Sequence, residues 1–480
     1  MKKLISLLLL AAMLLASCGS ETGDETTVPS GSDETTAESA QTDRLDELGA
    51  RDFGKRKFLI LDAHDYPQNT MNRPRDDRQG DVLNDAVYAR DIRISERYNC
   101  TIEYLLTENG RSGCEALARN YLAGDYYCDI ISSTVSDSGT LRSLMAQSML
   151  TDLNSIEYLS FDKPWWSQLI NQNLTLGGRA FFAAGDILAD MYTSPSILVA
   201  NLKLLEQYTP EVDIYELVSD GKWTIDEMLG YSKFNNDLDG DNKLHTLNDF
   251  FGYIGDSTGY MLSTNSFLVG CGINITKADG DKLSMNLMND RVIEVIDKVA
   301  QLVPHESMDD RSDYIVHTFK EDRAIFTQTY MGDVKNNLRS MESDYIILPF
   351  PKYDENQDTY RNLVNGWSSC FMAIPDNTNV DEVGFFAEAL CYDAYVNVRP
   401  AVYDNLLKTK LARDERSTNM IDIIYAGLYI DFGAICNFGG TNSALSDAVY
   451  KGAALASGLA SKQSAADKAI EEFTASWMAE

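Results

Sequence analysis

The chain has 480 residues, and 73 acidic against 41 basic side chains give it a formal net charge of −32. Proteins that bind nucleic acid need cationic surfaces that displace counterions from phosphates, so this charge excludes that class of partner. Hydrophobic residues make up 44% of the chain, which is typical of a globular protein. A body of about 430 residues exceeds one hydrophobic core, and we therefore expect two lobes.

The first eighteen residues have the pattern of a bacterial export signal. Lys2 and Lys3 supply positive charge, residues 4–15 are almost wholly apolar, and Ala16-Ser17-Cys18 ends the run. The run is too short to span a bilayer, so residues 1–17 are interpreted as a cleaved signal peptide. Small residues before a cysteine are typical of a lipobox, which predicts an exported protein anchored to the outer face of the membrane by a lipid on Cys18. The alternative is an ordinary secretory signal with an incidental cysteine.

Residues 18–50 are rich in Ser, Thr, Gly, Asp and Glu and contain few apolar side chains. Such a segment buries too little apolar surface to offset the entropy lost on ordering. We therefore expect a disordered acidic tether that holds the body away from an anionic membrane.

Strands and helices alternate in the first part of the body. The apolar run Phe58–Leu61 predicts a buried strand, and the periodicity of residues 82–98 predicts a long helix. The same reasoning predicts strands at 101–106, 129–132 and 181–184 and helices at 114–122 and 141–148. This alternation indicates βαβ units and a largely parallel sheet.

A second region begins after about residue 186. Thr224 and Glu227 form a capping-box pattern that predicts a helix reaching about residue 234. Further helices are predicted at 291–303, 314–321 and 333–341, with strands at 324–327 and 345–348 and mostly helix in 380–480. The chain is expected to pass between the lobes more than once.

Seven cysteines remain besides Cys18, and an odd number cannot all pair within one chain. The sequence has no CxxC pair, and most of the cysteines lie in apolar segments. They are interpreted mainly as buried free thiols.

Several segments occur in an order that resembles a known family. They are Asp162-Lys163-Pro164-Trp165-Trp166, Gly178–Ile187, Gly221–Glu227, Asp237–Lys243, Ile347–Asp354, Ala373-Ile374-Pro375 and Glu388-Ala389-Leu390. Together they resemble the extracellular solute-binding lipoproteins of bacterial ABC importers, in particular the sugar-binding branch of solute-binding protein family 1. The chain departs from that pattern at Asn201-Leu202-Lys203 and at Asp322-Arg323.

The resemblance implies an α/β type II periplasmic-binding-protein fold, in which two α/β lobes joined by hinge strands enclose a ligand cleft. Lobe 1 is then expected at 51–187 plus 345–430, and lobe 2 at 188–344 plus 431–480. The resemblance also implies a monomeric receptor, without enzymatic activity, that closes over a carbohydrate and delivers it to ABC permease subunits.

One loop carries oxygen side chains at the spacing of an EF-hand-like calcium loop. Acidic residues occupy positions one, three and five, and a main-chain carbonyl would serve at position seven. Position twelve lacks the usual glutamate, although the neighbouring Asp249 could compensate. The predicted ligands of a structural Ca²⁺ are Asp237, Asp239, Asp241, Lys243 and Asn248. The alternative is a solvated acidic turn.

Sugar binding needs aromatic faces that stack on C–H surfaces and polar groups that satisfy hydroxyls. The aromatic candidates are Tyr330, Trp367, Trp166 and Tyr192, together with Trp165. The two adjacent tryptophans could equally pack the interior of lobe 1.

The polar candidates follow predicted strands, because ligands of open α/β sheets bind at the carboxyl ends of strands. They are His64, Asp65, Ser133, Thr134 and Asn365. The alternative for each is an ordinary capped loop.

The residues give little support for catalysis or for an organic cofactor. Only four histidines occur, and there is no HExxH, GxSxG, phosphate-binding loop or Cys/His set at zinc-ligand spacing. Carboxylates are so abundant that a glycosidase-like pair could be proposed anywhere. The alternatives left open are a surface glycan-degrading enzyme and a receptor for a non-sugar solute such as a peptide.

Overall fold

A computed structural model describes residues 43–65, 70–245, 247–255, 263–303, 312–338, 340–407 and 415–479. The predicted signal peptide, Cys18 and residues 19–42 of the predicted tether lie outside the described residues. The body begins with a helix at Arg44–Leu48, which Asp43 caps by accepting a hydrogen bond from the Leu45 N–H at 2.8 Å. Because Leu45 is buried, the body starts at about residue 43 rather than at residue 51.

The described residues form twelve strands and eighteen α-helices. The strands are β1 Arg56–Ala63, β2 Cys100–Leu106, β3 Ile130–Ser133, β4 Ser196–Asn201, β5 Phe251–Ile254, β6 Thr276–Asp279, β7 Lys282–Met285, β8 Ala324–Tyr330, β9 Tyr345–Leu348, β10 Asn362–Leu363, β11 Phe371–Ala373 and β12 Leu428–Tyr429. The helices are α1 Arg44–Leu48, α2 Val82–Tyr98, α3 Gly110–Ala123, α4 Leu141–Ala146, α5 Gln168–Asn173, α6 Leu202–Tyr208, α7 Ile214–Ser219, α8 Ile225–Tyr231, α9 Ser263–Gly270, α10 Asp290–Leu302, α11 Ser312–Lys320, α12 Met331–Asn337, α13 Val380–Asn397, α14 Arg399–Leu407, α15 Glu415–Ala426, α16 Phe432–Cys436, α17 Thr441–Lys451 and α18 Leu455–Met478.

The first sheet has the strand order β11-β3-β1-β2. Strand β1 runs parallel to β2 and β3, and β11 is antiparallel to β3. Both faces are buried, because β1 places Phe58 and Ile60 in one apolar cluster and Leu61 and Ala63 in the other. Helix α13 covers the first of these faces, where Phe58 stacks on Phe386 with 3.9 Å between ring centroids. This sheet is the core of lobe 1.

The second sheet has the strand order β5-β8-β4-β9. Strand β5 is parallel to β8, and β4 is antiparallel to both β8 and β9. The buried Trp223 stacks on Phe326 of β8, and its indole N–H donates to the Pro349 carbonyl at 3.1 Å. This sheet is the core of lobe 2.

The pairing of β9 changes the expected lobe boundary. Leu348 of β9 lies opposite Leu198 of β4, so residues 345–348 belong to lobe 2. Helix α15 also packs on β9 and α7. Lobe 1 therefore resumes at β11, after residue 370, and not at residue 345.

Two segments that cross between the lobes lie side by side. The first crossover comprises residues 189–196, and the return crossover comprises residues 362–370. An antiparallel bridge joins Pro195 to Val364, and the Asn365 N–H donates to the Ser194 carbonyl at 3.1 Å. Because β10 also pairs in parallel with β12, a third segment of the chain joins this hinge.

The C-terminal helix α18 contacts both lobes. Its fully buried Trp477 packs edge-on against Phe181 and Phe182, which belong to lobe 1, and against Phe432. The Trp477 indole N–H donates to the Leu176 carbonyl at 3.2 Å. Residues 431–480 therefore do not belong to lobe 2 alone.

Within the described parts of the chain, none of the helices is both long and apolar enough to span a membrane. The seven cysteines after Cys18 are unpaired, and six of them are buried. The prediction of buried free thiols is confirmed for these six; Cys436 is half-buried.

Candidate functional site

The carboxyl ends of β1 and β3 meet at the edge of the first sheet, because Ala63 lies opposite Ser133 in the parallel register. Asp65 follows β1 and joins two elements at this edge. Its Oδ1 accepts a hydrogen bond from the Gly110 N–H at 2.9 Å, and its Oδ2 accepts one from the Thr134 hydroxyl at 3.0 Å. Asp65 and Thr134 thus lie together beside the start of α3, as the topology predicts.

Ser133 has a different role from the one expected. Its side chain is fully buried, and its hydroxyl donates to the Ala63 carbonyl at 2.7 Å. Its hydrogen-bonding capacity therefore serves the pairing of two strands, and Ser133 is corrected from a ligand contact to a structural residue.

His64 links this sheet edge to both crossovers. Its Nε2 lies 3.4 Å from Oδ2 of Asp190 in the first crossover, and the ring also hydrogen-bonds the main chain of Ser368 in the return crossover. Burial lowers the pKa of His64, because desolvation disfavours the charged ring. Burial raises the pKa of Asp190 to about 7, although the Met71 N–H and the Asn72 side chain both donate to its carboxylate at 2.7 Å.

The return crossover presents Trp367 at its surface. The Trp367 side chain is 51% exposed, whereas the other four tryptophans of the chain are buried. The Asn365 side-chain oxygen accepts a hydrogen bond from the Trp367 N–H at 3.0 Å, which shapes this turn. The Gly366 carbonyl accepts from the Ser136 N–H at 3.1 Å, so the turn is held against the loop after β3. Trp367 therefore lies close to the edge that carries Thr134.

Tyr330 ends β8 beside the first crossover. It pairs with Ser196, and the main chain of the next two residues donates to the Pro195 and Thr193 carbonyls at 3.0 and 2.8 Å. Tyr330 is 7% exposed. The structure thus brings Tyr330, the first crossover and the return crossover to one place between the sheets.

Tyr192 packs within the hinge. Its ring meets Tyr425 edge-on with 4.8 Å between centroids, and the Arg399 guanidinium lies 5.8 Å from the ring centre. The Tyr425 hydroxyl donates to the Tyr192 carbonyl at 3.0 Å. These contacts give Tyr192 a role in joining α14 and α15 to the first crossover.

Trp166 lies in the interior of lobe 1 and not at the crossovers. Its indole N–H donates to Glu388 Oε2 at 2.8 Å, and that of Trp165 donates to Glu388 Oε1 at 3.2 Å. Phe161 packs against the Trp166 ring edge-on. Both tryptophans are nearly fully buried, so the expectation that Trp166 contacts a ligand is corrected.

The predicted calcium loop gathers carboxylates from both of its ends. Oxygen atoms of Asp237, Asp239 and Asp249 lie within 4.8 Å of one another, and Asp249 is fully buried. Asp249, the neighbour of the residue at position twelve, is thus grouped with two of the predicted ligands. Asp241 instead lies beside His245, with 2.9 Å between Oδ2 and Nε2.

The remaining two predicted ligands, Lys243 and Asn248, form hydrogen bonds within the loop. The Asn248 side chain donates to Asp239 Oδ2 at 3.1 Å, and the Lys243 N–H donates to Asp241 Oδ1 at 2.9 Å. The structure thus groups two of the five predicted ligands and adds Asp249 to them.

Sequence reasoning missed Asp190 and Arg399. Asp190 lies five residues beyond Gly185 of the family-like segment, but in so acidic a chain a single carboxylate gives no signal. Arg399 reaches Tyr192 from α14, more than two hundred residues later in the chain, and no local pattern could have joined them.

No protein-family model and no curated protein sequence matches the chain, but solved structures do. The chain is similar to a cyclo/maltodextrin-binding protein complexed with maltotetraose, at 15% sequence identity and a TM-score of 0.56, over 89% of this chain and 99% of that one. It is also similar to a cyclic alpha-maltosyl-1,6-maltose binding protein from Arthrobacter globiformis, at 12% identity and a TM-score of 0.56, over 87% and 100%. A third is the galacto-N-biose-/lacto-N-biose I-binding protein of an ABC transporter from Bifidobacterium longum, at 13% identity and a TM-score of 0.53, over 88% and 98%.

At identities of 12–15% these similarities establish the fold alone. They confirm the predicted fold, which has two α/β lobes of the periplasmic-binding-protein type. The fold therefore defines a two-lobed α/β protein of the periplasmic-binding-protein type.

Proposed function

We propose that the protein is an exported, lipid-anchored receptor that binds an oligosaccharide between its lobes and delivers it to an ABC importer. The observation that carries this proposal is the position of Trp367, the exposed tryptophan, on the return crossover between the two sheets. Sugar-binding proteins, among them the structural neighbours, share the fold.

The chemistry of the crossover region suits a neutral sugar. The Trp367 ring offers an aromatic face for the C–H surface of a pyranose ring, and Tyr330 offers a second aromatic group from lobe 2. Asp65 and Asn365 place carboxylate and amide oxygens near the same edge, and these oxygens can accept further hydrogen bonds from sugar hydroxyls. Closure of the lobes would bury the sugar and favour the closed state by its differential affinity.

A thermal-shift screen tests this proposal. The purified body is heated with single oligosaccharides that include maltodextrins, cyclic maltosides and lacto-N-biose, and in parallel with peptide pools. A ligand that binds only the folded protein raises the melting temperature, so we expect a shift with one sugar class. Peptides that shift the protein while sugars do not would overturn the sugar assignment, and release of sugar products at catalytic rates would show an enzyme.

Anchoring through Cys18 is part of the proposal and has its own test. The signal-like residues 1–17 and the small residues before Cys18 support it. Cells that express the full chain are grown with labelled palmitate. We expect the label and membrane association for the wild-type protein, and neither for Cys18→Ser; equal labelling of both would contradict the anchor.

We also propose that Asp237, Asp239 and Asp249 hold a structural Ca²⁺. The convergence of three carboxylates is the arrangement that a hard cation prefers. Calcium should raise the melting temperature of the wild-type protein, and Asp239→Asn should abolish the rise. Asp220→Asn, which changes an exposed carboxylate beside Lys222, is the control and should keep it. No response of the wild-type protein to calcium would exclude the site.

A further inference from the structure

Three side chains with different metal-ligating atoms meet at the base of the hinge. They are His64 after β1, Asp190 in the first crossover and Cys370 at the end of the return crossover. One ligand atom from each lies within 4.8 Å of the others, and all three residues are buried. No linear spacing motif joins them, because they come from three distant parts of the chain.

Two of these residues, His64 and Cys370, meet because they lie on the same face of the first sheet. Side chains two residues apart share a face of a strand, so His64 lies on the same side of β1 as Asp62. Asp62 pairs with Ser132 of β3, and Ser132 pairs with Met372 of β11. Cys370 precedes Met372 by two residues and therefore comes to the same face. Its thiol hydrogen-bonds Ser132.

Each ligand is also oriented by a second contact. The Met71 N–H donates to Asp190 Oδ1 and the Asn72 side chain to Asp190 Oδ2, both at 2.7 Å. The His64 ring hydrogen-bonds the main chain of Ser368. Metal-binding histidines and carboxylates are commonly held by such outer hydrogen bonds.

A neighbouring carboxylate oxygen supplies an independent observation. Asp62 is 2% exposed, and although its Oδ2 accepts from Arg73 Nε at 2.7 Å, its Oδ1 has no hydrogen-bond partner among the described residues. Asp62 lines a cavity of about 20 Å³ together with Asn72 and Ser132, which contact Asp190 and Cys370 respectively. A buried oxygen of this kind indicates an ion or a water in the adjacent space, and the cavity has room for one water.

We propose that His64, Asp190 and Cys370 bind a zinc ion at the base of the hinge, with a water as the fourth ligand. An imidazole, a carboxylate and a thiolate are the ligand types that zinc takes, and ligand atoms around tetrahedral zinc lie about 3.5 Å apart. The ion would join both crossovers to the end of β1.

The binding step conserves atoms and charge. Zn²⁺ replaces the proton of the Cys370 thiol and any proton that the Asp190 carboxyl carries, so these protons are released to solvent, and no oxidation or reduction occurs. Zinc binding should therefore weaken as the pH falls.

The test uses protein purified without a histidine tag and dialysed against EDTA. Added zinc should bind at one ion per chain, as elemental mass spectrometry measures, and should raise the melting temperature by several degrees. Magnesium and calcium bind thiolates poorly and should give no thiolate-to-metal signal. Cobalt(II) should give a sulfur-to-metal charge-transfer band, which requires a cysteine ligand.

Variants then locate the ion. Cys370→Ser should lose the cobalt band and the stoichiometric zinc. Cys100→Ser should keep both, since Cys100 is a buried thiol whose sulfur lies beside the Ile94 carbonyl of lobe 1, away from His64 and Asp190. Folded wild-type protein that binds no zinc, or a Cys370→Ser variant that keeps the band, would overturn the proposal. His64→Gln replaces Cys370→Ser if that variant does not fold. The outcome is independent of sugar binding, which is measured separately.

Discussion

Two groups of tryptophans differ in their surroundings although the sequence presents them alike. Trp165 and Trp166 donate their indole N–H groups to one buried carboxylate, Glu388, and lie in the interior of lobe 1. Trp367 lies on the return crossover and is half exposed. A tryptophan with a bonded indole N–H and packed faces stabilises the fold, whereas the exposed ring of Trp367 leaves a face open to solvent.

Trp166→Ala tests the stability side of this comparison and has the largest expected effect. Removing a buried indole leaves a cavity and deprives Glu388 of a hydrogen bond, so the free energy of unfolding should fall by about 3–5 kcal/mol. Urea denaturation measures this loss. Trp367→Ala is the matched control and should change stability by about 0.5 kcal/mol. Equal losses in the two variants would remove the distinction.

The pH dependence of stability that Asp186 causes tests the same interior of lobe 1. Its N–H donates to the Trp165 carbonyl, and burial raises the pKa of its carboxyl to about 8, with Arg399 at 4.0 Å offsetting only part of the rise. The folded state therefore keeps the proton up to about pH 8, whereas the unfolded state loses it near pH 4. Stability should fall as the pH rises between these values.

Asp186→Asn mimics the protonated form and should remove that decline. We expect the variant to gain stability relative to the wild-type protein by at least about 1.4 kcal/mol more at pH 8 than at pH 5, since one pKa unit corresponds to that energy. Urea denaturation at both pH values gives the difference. The same relative stability at pH 5 and pH 8 would show that the carboxyl is not held protonated.

Trp367→Ala tests the ligand side and has the smallest free-energy effect. Loss of the stacking face should weaken binding of the sugar found in the thermal-shift screen about tenfold, which corresponds to about 1.4 kcal/mol. Calorimetric titration measures the affinity. Trp367→Phe keeps an aromatic face and should retain most of it. Unchanged affinity in Trp367→Ala would place the sugar elsewhere.

Local patterns predicted the elements well where the signal is periodic. The helix at 82–98 and the strand at 345–348 have the bounds that the sequence predicts, and Thr224 caps α8 by accepting from the Glu227 N–H. Residues 181–184 form no strand, because only Ala183 bridges to β11. The predicted fold class is confirmed by the structural similarities.

Long-range partners could not be predicted. Strand β9 belongs to the second sheet because it pairs with β4, which lies almost 150 residues earlier in the chain. The boundary of lobe 1 therefore differs from the one predicted at residue 345. The role of Trp166 depends on Glu388, and the position of His64 beside Asp190 depends on the path of the first crossover. Sequence identifies polar residues at strand ends, but only the fold shows which of them already have internal partners.

In the proposed function, the two lobes close over a sugar that stays intact. Small-angle X-ray scattering of the body, with and without a saturating amount of the sugar from the screen, tests it most directly. The radius of gyration should fall when the sugar binds, and the sugar should be recovered unchanged. Identical scattering curves, in a sample where calorimetry shows the sugar bound, would contradict it.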